Sequence, residues 1–97
     1  QRTAWHRLGL IAVQAREFEI AQVELEKAHQ IDPEHRGIRK SLGYVYAWNG
    51  EFDRAYRMLE GIGEAMDEMG VYAWWWREQA RPDLADQAEN LAQLLKP

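Results

Sequence analysis

The chain repeats itself at a spacing of 34 residues, and this repeat constrains the fold more than any other feature of the sequence. When the first copy is placed above the second, six identical pairs line up: Leu8 with Leu42, Gly9 with Gly43, Glu17 with Glu51, Phe18 with Phe52, Ala21 with Ala55, and Leu25 with Leu59. Self-similarity at a fixed period of about 20 to 50 residues is typical of chains that stack one small structural unit many times.

The apolar residues within each copy follow the spacing of an α-helix. One stripe at i, i+3, i+4 and i+7 consists of Trp5, Leu8, Gly9 and Ala12. A second, at i, i+3, i+7 and i+10, consists of Phe18, Ala21, Leu25 and Ala28. Asp32-Pro33 and Asn49-Gly50 are typical helix stops and turns. Each copy is therefore predicted to form a helix, a tight turn and a second, antiparallel helix.

A third, less regular copy contains three consecutive tryptophans. Ala73 aligns with Gly9 and Gly43, so the triplet Trp74–Trp76 falls where both earlier copies also have apolar triplets. This copy starts 30 residues after the second, which predicts that about one helical turn is missing between them. The last helix has an apolar stripe and a polar face, and it is predicted to cap the array; the stripe consists of Leu84, Ala88, Leu91 and Leu95.

The pattern resembles the tetratricopeptide repeat, whose signature is W-x2-L-G-x2-Y…A-x3-F…P over 34 residues. The matching residues are Trp5, Leu8, Gly9, Ala12, Ala21, Leu25, Ala28 and Pro33, and then Leu42, Gly43, Tyr46, Ala55 and Leu59. Arg39 stands where the second tryptophan is expected. The resemblance is specific over residues 1–66 and looser beyond.

The resemblance implies an all-α solenoid of three antiparallel helix-turn-helix pairs, a right-handed superhelical array with an irregular last repeat and a capping helix. The chain is expected to be a single domain over residues 1–97. Its repeats are expected at about 2–35, 36–66 and 67–97.

In this family the first helix of each pair lines a concave groove that binds a partner segment. The corresponding stripe gives the candidate partner-binding residues His6, Leu10, Lys40, Tyr44, Trp48, Trp74 and Arg77. Tyr44, Trp48 and Trp74 are expected to form an aromatic strip. The cations suggest a segment of acidic or polar character. Trp75 is expected to pack towards the preceding pair and Trp76 in the core. The alternative is that the aromatics fill gaps between helix pairs that are out of register.

The composition narrows the partner classes. A net charge of −4 disfavours nucleic acid, and no apolar run reaches the about 20 residues that cross a bilayer. The absence of Cys fits a reducing compartment, so a cytoplasmic location is expected. Because it begins at Gln1, the chain is expected to be a piece of a longer protein or a processed product.

No residue pattern predicts an enzyme, a metal site or a cofactor. His29 and His35 flank a predicted helix end and do not share a helical face, as metal ligands would. Gly61-Ile62-Gly63 lacks the lysine and preceding strand of a phosphate loop. The sequence predicts a non-catalytic module that binds a protein or peptide. The alternative is self-assembly into a homodimer through a seam on the last helix, formed by Leu84, Leu91, Leu94 and Leu95.

Overall fold

The computed structural model describes every residue from Gln1 to Pro97 and contains six α-helices and no strand. The helices are α1 (Arg2–Gln14), α2 (Phe18–Ile31), α3 (Arg36–Trp48), α4 (Phe52–Leu59), α5 (Ala65–Glu78) and α6 (Pro82–Leu94). They form three helix pairs, α1–α2, α3–α4 and α5–α6, and consecutive pairs are in contact. The predicted all-α array of helix pairs is confirmed. None of the six helices has both the length and the apolar character needed to cross a membrane.

Glycine and alanine stand where the two helices of a pair approach most closely. A Cβ atom built on Gly9 would lie 2.6 Å from Leu25 Cγ, and one built on Gly43 would lie 2.7 Å from Leu59 Cδ2. In the third pair the aligned position is Ala73, which is buried. A larger side chain at these positions would hold the helix axes apart. The close-contact points therefore line up from pair to pair, as the alignment predicts.

The turn inside each pair uses the same backbone geometry. Its central residue has a left-handed conformation, with φ of 59° at Arg16, 80° at Gly50 and 58° at Ala80. The following N–H donates to a carbonyl five residues back, and the three bonds join Glu17 to Ala12, Glu51 to Tyr46, and Arg81 to Trp76. This bond closes the end of a helix whose last carbonyls would otherwise lack donors.

The core is distributed unevenly along the array. In α3, eight of the thirteen residues are buried, whereas α1 buries only Gly9 and Ala12. Leu8 and Ile11 are 45% and 62% exposed, although their repeat equivalents Leu42 and Val45 are 0% and 1% exposed. The difference arises because α2 covers one side of α3 and no helix covers the corresponding side of α1.

The junction between the second and third pairs is where the regular repeat breaks. Helix α4 has 8 residues and α2 has 14, so the missing helical turn is lost from the end of α4. The chain leaves α4 through Gly61, whose φ is 85°. Helix α5 then begins at Ala65.

Helix α6 covers the end of the array, as predicted. Leu84, Ala88 and Leu91 are buried, and Asp86, Asn90 and Gln93 are exposed. Of the four leucines expected to form the seam in the self-assembly alternative, Leu84 and Leu91 are 5% and 0% exposed, whereas Leu94 is 52% exposed. The side chains of Leu84 and Leu91 already pack within this chain.

Candidate partner-binding groove

A groove opens between the first helices of the three pairs. Its volume is about 410 Å³, and nine of its fourteen lining residues are hydrophobic. Helix α1 contributes Leu10, α3 contributes Lys40, Tyr44 and Trp48, and α5 contributes Tyr72 and Trp75. These six residues define what we call the aromatic groove.

The floor of the aromatic groove is a chain of aromatic rings in edge-to-face contact. The Tyr72 ring centroid lies 5.3 Å from that of Tyr44 and 5.3 Å from that of Trp48. The Trp76 centroid lies 5.4 Å from that of Trp48 and 4.7 Å from that of Trp75. Such pairs are stabilising beyond the area they bury.

A cluster of ion pairs closes one end of the aromatic groove. Lys40 Nζ lies 3.1 Å from a Glu68 oxygen and 3.4 Å from a Glu64 oxygen. The Tyr44 hydroxyl donates to Glu68, and Arg36 donates two hydrogen bonds to Glu64. These bonds join α3 to the first turn of α5 and to the residue before it.

The cluster changes the ionisation of its members. Hydrogen bonds from Arg36, supported by Lys40, lower the pKa of Glu64 to about 2. Burial, followed by the hydrogen bond to Glu68, raises the pKa of Tyr44. Burial alone would lower the pKa of Lys40, but the bonds and charges of Glu68 and Glu64 outweigh it and raise that pKa. Glu64 and Lys40 are therefore charged at neutral pH, and Tyr44 is neutral.

The other end of the aromatic groove is bounded by the turn of the first pair. The Arg16 guanidinium carbon lies 4.8 Å from the centroid of Trp75. Arg16 also donates to Oε1 of Gln79 at 3.2 Å, and Phe18 packs against Trp76. The first and third helix pairs are therefore in direct contact at this end.

Four of the seven predicted partner-binding residues line the aromatic groove: Leu10, Lys40, Tyr44 and Trp48. His6 lies outside it, with its ring centroid 5.6 Å from that of His35. Burial, together with His35 and Arg2, lowers the pKa of His6. The nitrogen Nδ1 of His35 accepts the N–H of Ile38 and caps α3.

Trp74 and Arg77, which are predicted to bind the partner, do not line the aromatic groove. Both lie beside α6, where Trp74 is 63% exposed and Arg77 binds Asp86 and Glu89 at 3.3 and 2.7 Å. Neighbouring residues on a helix are about 100° apart, so when Tyr72 and Trp75 face the groove, Trp74 faces α6. Tyr72 and Trp75 take the inward positions instead. Trp76 is buried, as predicted.

Tyr72, Trp75 and Glu68 line the groove but are not among the residues predicted to bind a partner. Of these, Trp75 is expected from the sequence to pack towards the preceding pair. The signal that points to them is the 30-residue offset of the third copy. Because this copy is displaced, its residues need not face the same way as the residues they align with in the first two copies. The acidic or polar character expected of a bound segment also loses its basis, because Lys40 and Arg77 already have carboxylate partners.

The tetratricopeptide repeat family model matches residues 12–69, which is more than half of the chain. The matched residues run from the second half of α1 into α5 and include the α3 side of the groove. Neither the comparison with curated proteins nor the comparison with solved structures gave a match.

Proposed function

Because the chain belongs to the tetratricopeptide repeat family, whose repeats are generally protein–protein interaction modules and typically non-catalytic, we propose that it binds a segment of a partner protein in the aromatic groove. The groove residues Leu10, Lys40, Tyr44 and Trp48 would contact that segment together with Tyr72 and Trp75. Trp74 and Arg77 lie outside the groove and are not included.

The observation that carries this proposal is a concave, mostly apolar surface supplied by three different helices. Tyr44 and Trp48 are more than nine-tenths buried and form its floor, whereas Leu10 is 41% exposed. Tyr72 and Trp75 are half-buried and leave ring surface uncovered. Aromatic residues in a water-excluding pocket are the kind that most often dominate binding energy at interfaces.

The test uses peptides selected from a randomised display library against the wild-type chain. We expect Leu10→Glu to weaken their binding about tenfold, which corresponds to about 1.4 kcal/mol. The reason is that a bound segment would bury the new carboxylate against apolar side chains, away from water. Fluorescence polarisation with labelled peptides measures the change.

Ile11→Glu is the matched control. Ile11 is the next residue on the same helix and is also exposed, but it does not line the groove. Circular dichroism and thermal melting establish that both variants fold. Equal loss of binding in the two variants, or full binding by Leu10→Glu, would contradict the proposal.

A further inference from the structure

The charged side chains at the ion-pair end of the aromatic groove are already matched. Lys40 has two carboxylate partners, and Glu68 is shared between Lys40 and the Tyr44 hydroxyl. Glu64 is held by Arg36. An acidic or basic segment placed here would have to break an existing pair or leave its own charge without one. The cluster therefore gives a charged ligand residue no net attraction.

Most of the groove surface that still faces water is apolar, and Gln14 and Arg16 are its exposed polar residues. Leu10 stands on one wall, and Tyr72 and Trp75 stand on the other, above the floor formed by Tyr44 and Trp48. At the far end, Arg16 stacks on Trp75 and donates to Gln79. Covering the walls removes apolar area from water, which is the dominant favourable term in association.

The size of the groove limits what can enter it. Its volume of about 410 Å³ lies near the lower end of the range of about 300–1,000 Å³ that is usual for small-ligand pockets. A cavity of about 150 Å³ already holds a benzene ring, so this groove takes one or two large side chains and not a long segment. The Lys40–Glu68 pair and Arg16 stand at its two ends.

We infer that the groove recognises an apolar anchor of one or two large side chains, aliphatic or aromatic, in an otherwise uncharged stretch of the partner. This inference rests on the proposed function and assigns the chemical class of its ligand. It replaces the acidic character that the groove cations suggest when they are considered without their carboxylate partners.

The test titrates the wild-type chain with two single-residue probes, N-acetylleucinamide and the N-acetyl amide of glutamic acid. The five tryptophan indole N–H signals report the binding site by NMR. We expect the leucine probe to shift the signals of Trp48 and Trp75. The signals of Trp5 and Trp74, which lie outside the groove, should stay in place. The glutamate probe should need a concentration at least about tenfold higher, equivalent to about 1.4 kcal/mol.

Three results would overturn the inference. They are a preference for the glutamate probe, no shift with the leucine probe, and a shift of Trp74 at the same concentration as Trp48. Leu10→Glu should abolish the leucine shifts, and Ile11→Glu should preserve them. Failure of the proposed function is a separate outcome: the leucine probe then binds while no displayed peptide does. Peptides that bind the groove through acidic residues would instead leave the function standing and refute the apolar anchor.

Discussion

Three residues at equivalent turns show how one backbone geometry is met by different side chains. Arg16, Gly50 and Ala80 all have positive φ, between 58° and 80°. Only glycine adopts this region without steric cost, because other L-residues bring Cβ close to the following carbonyl oxygen. The stacking of Arg16 on Trp75 offers a reason for a side chain at the first turn. Nothing in the structure explains the alanine at position 80.

We therefore expect Ala80→Gly to stabilise the fold and Gly50→Ala to destabilise it, each by about 0.5–1 kcal/mol. The strain removed at position 80 exceeds the extra chain entropy that glycine gains on unfolding. Urea denaturation followed by circular dichroism gives both free energies of unfolding. No atom lies within 4 Å of a Cβ at position 50, so a loss there would report backbone strain and not a clash. A stabilising Gly50→Ala would show that the turn geometry is wrong.

At the scale of the helix, the ion-pair cluster contributes a pH-dependent link between α3 and the start of α5. The pKa of Glu64 falls from an ordinary value of 4.5 to about 2 in the folded chain, first because of its hydrogen bonds from Arg36. A depressed folded pKa means that the unfolded chain binds the proton more readily. The contribution of Glu64 is thus complete above about pH 4.5 and is lost as the pH falls to about 2.

We expect Glu64→Gln to destabilise the chain at pH 7 and to have progressively less effect between pH 4.5 and pH 2. Taking the difference between wild type and variant at each pH removes the acid sensitivity of the other carboxylates. The measurement is urea unfolding at several pH values across this window. Arg36→Met should give the same pH dependence, because it removes the main partner. A difference that stays constant down to pH 2 would refute the assignment.

The six helices differ in how far their packing could be predicted from the sequence. The first two pairs could be predicted because identical residues recur at the contact points, with Gly9 on Leu25 and Gly43 on Leu59. The orientation of α5 could not be predicted, because it depends on how α5 packs after α4 loses a turn. In the orientation that α5 adopts, Trp74 lies outside the groove, and Tyr72 and Trp75 line it. The ion pairs of Lys40 could not be predicted either, because its partners Glu64 and Glu68 lie 24 and 28 residues away in the chain.

At the scale of the whole molecule, the uneven core predicts uneven local stability. Helix α1 buries only Gly9 and Ala12, while α3 is covered on most of its surface. Local opening costs least where few apolar contacts are broken.

We expect amide hydrogen exchange to be fastest among the helices in α1, starting from its N-terminal half, and slowest in α3. Exchange followed by NMR or mass spectrometry under native conditions measures this order. Uniform protection across the six helices would contradict it, and so would slower exchange in α1 than in α3.

In a solenoid each repeat usually contacts only its neighbours, so repeats further apart can move relative to one another. Here Arg16 contacts Trp75 and Gln79, and Phe18 contacts Trp76. The first and third pairs are therefore joined directly at one end of the groove. Contacts between the first and third pairs oppose bending before a ligand binds, so binding has less motion to restrict. Selectivity then depends on whether a partner side chain matches the shape of the groove.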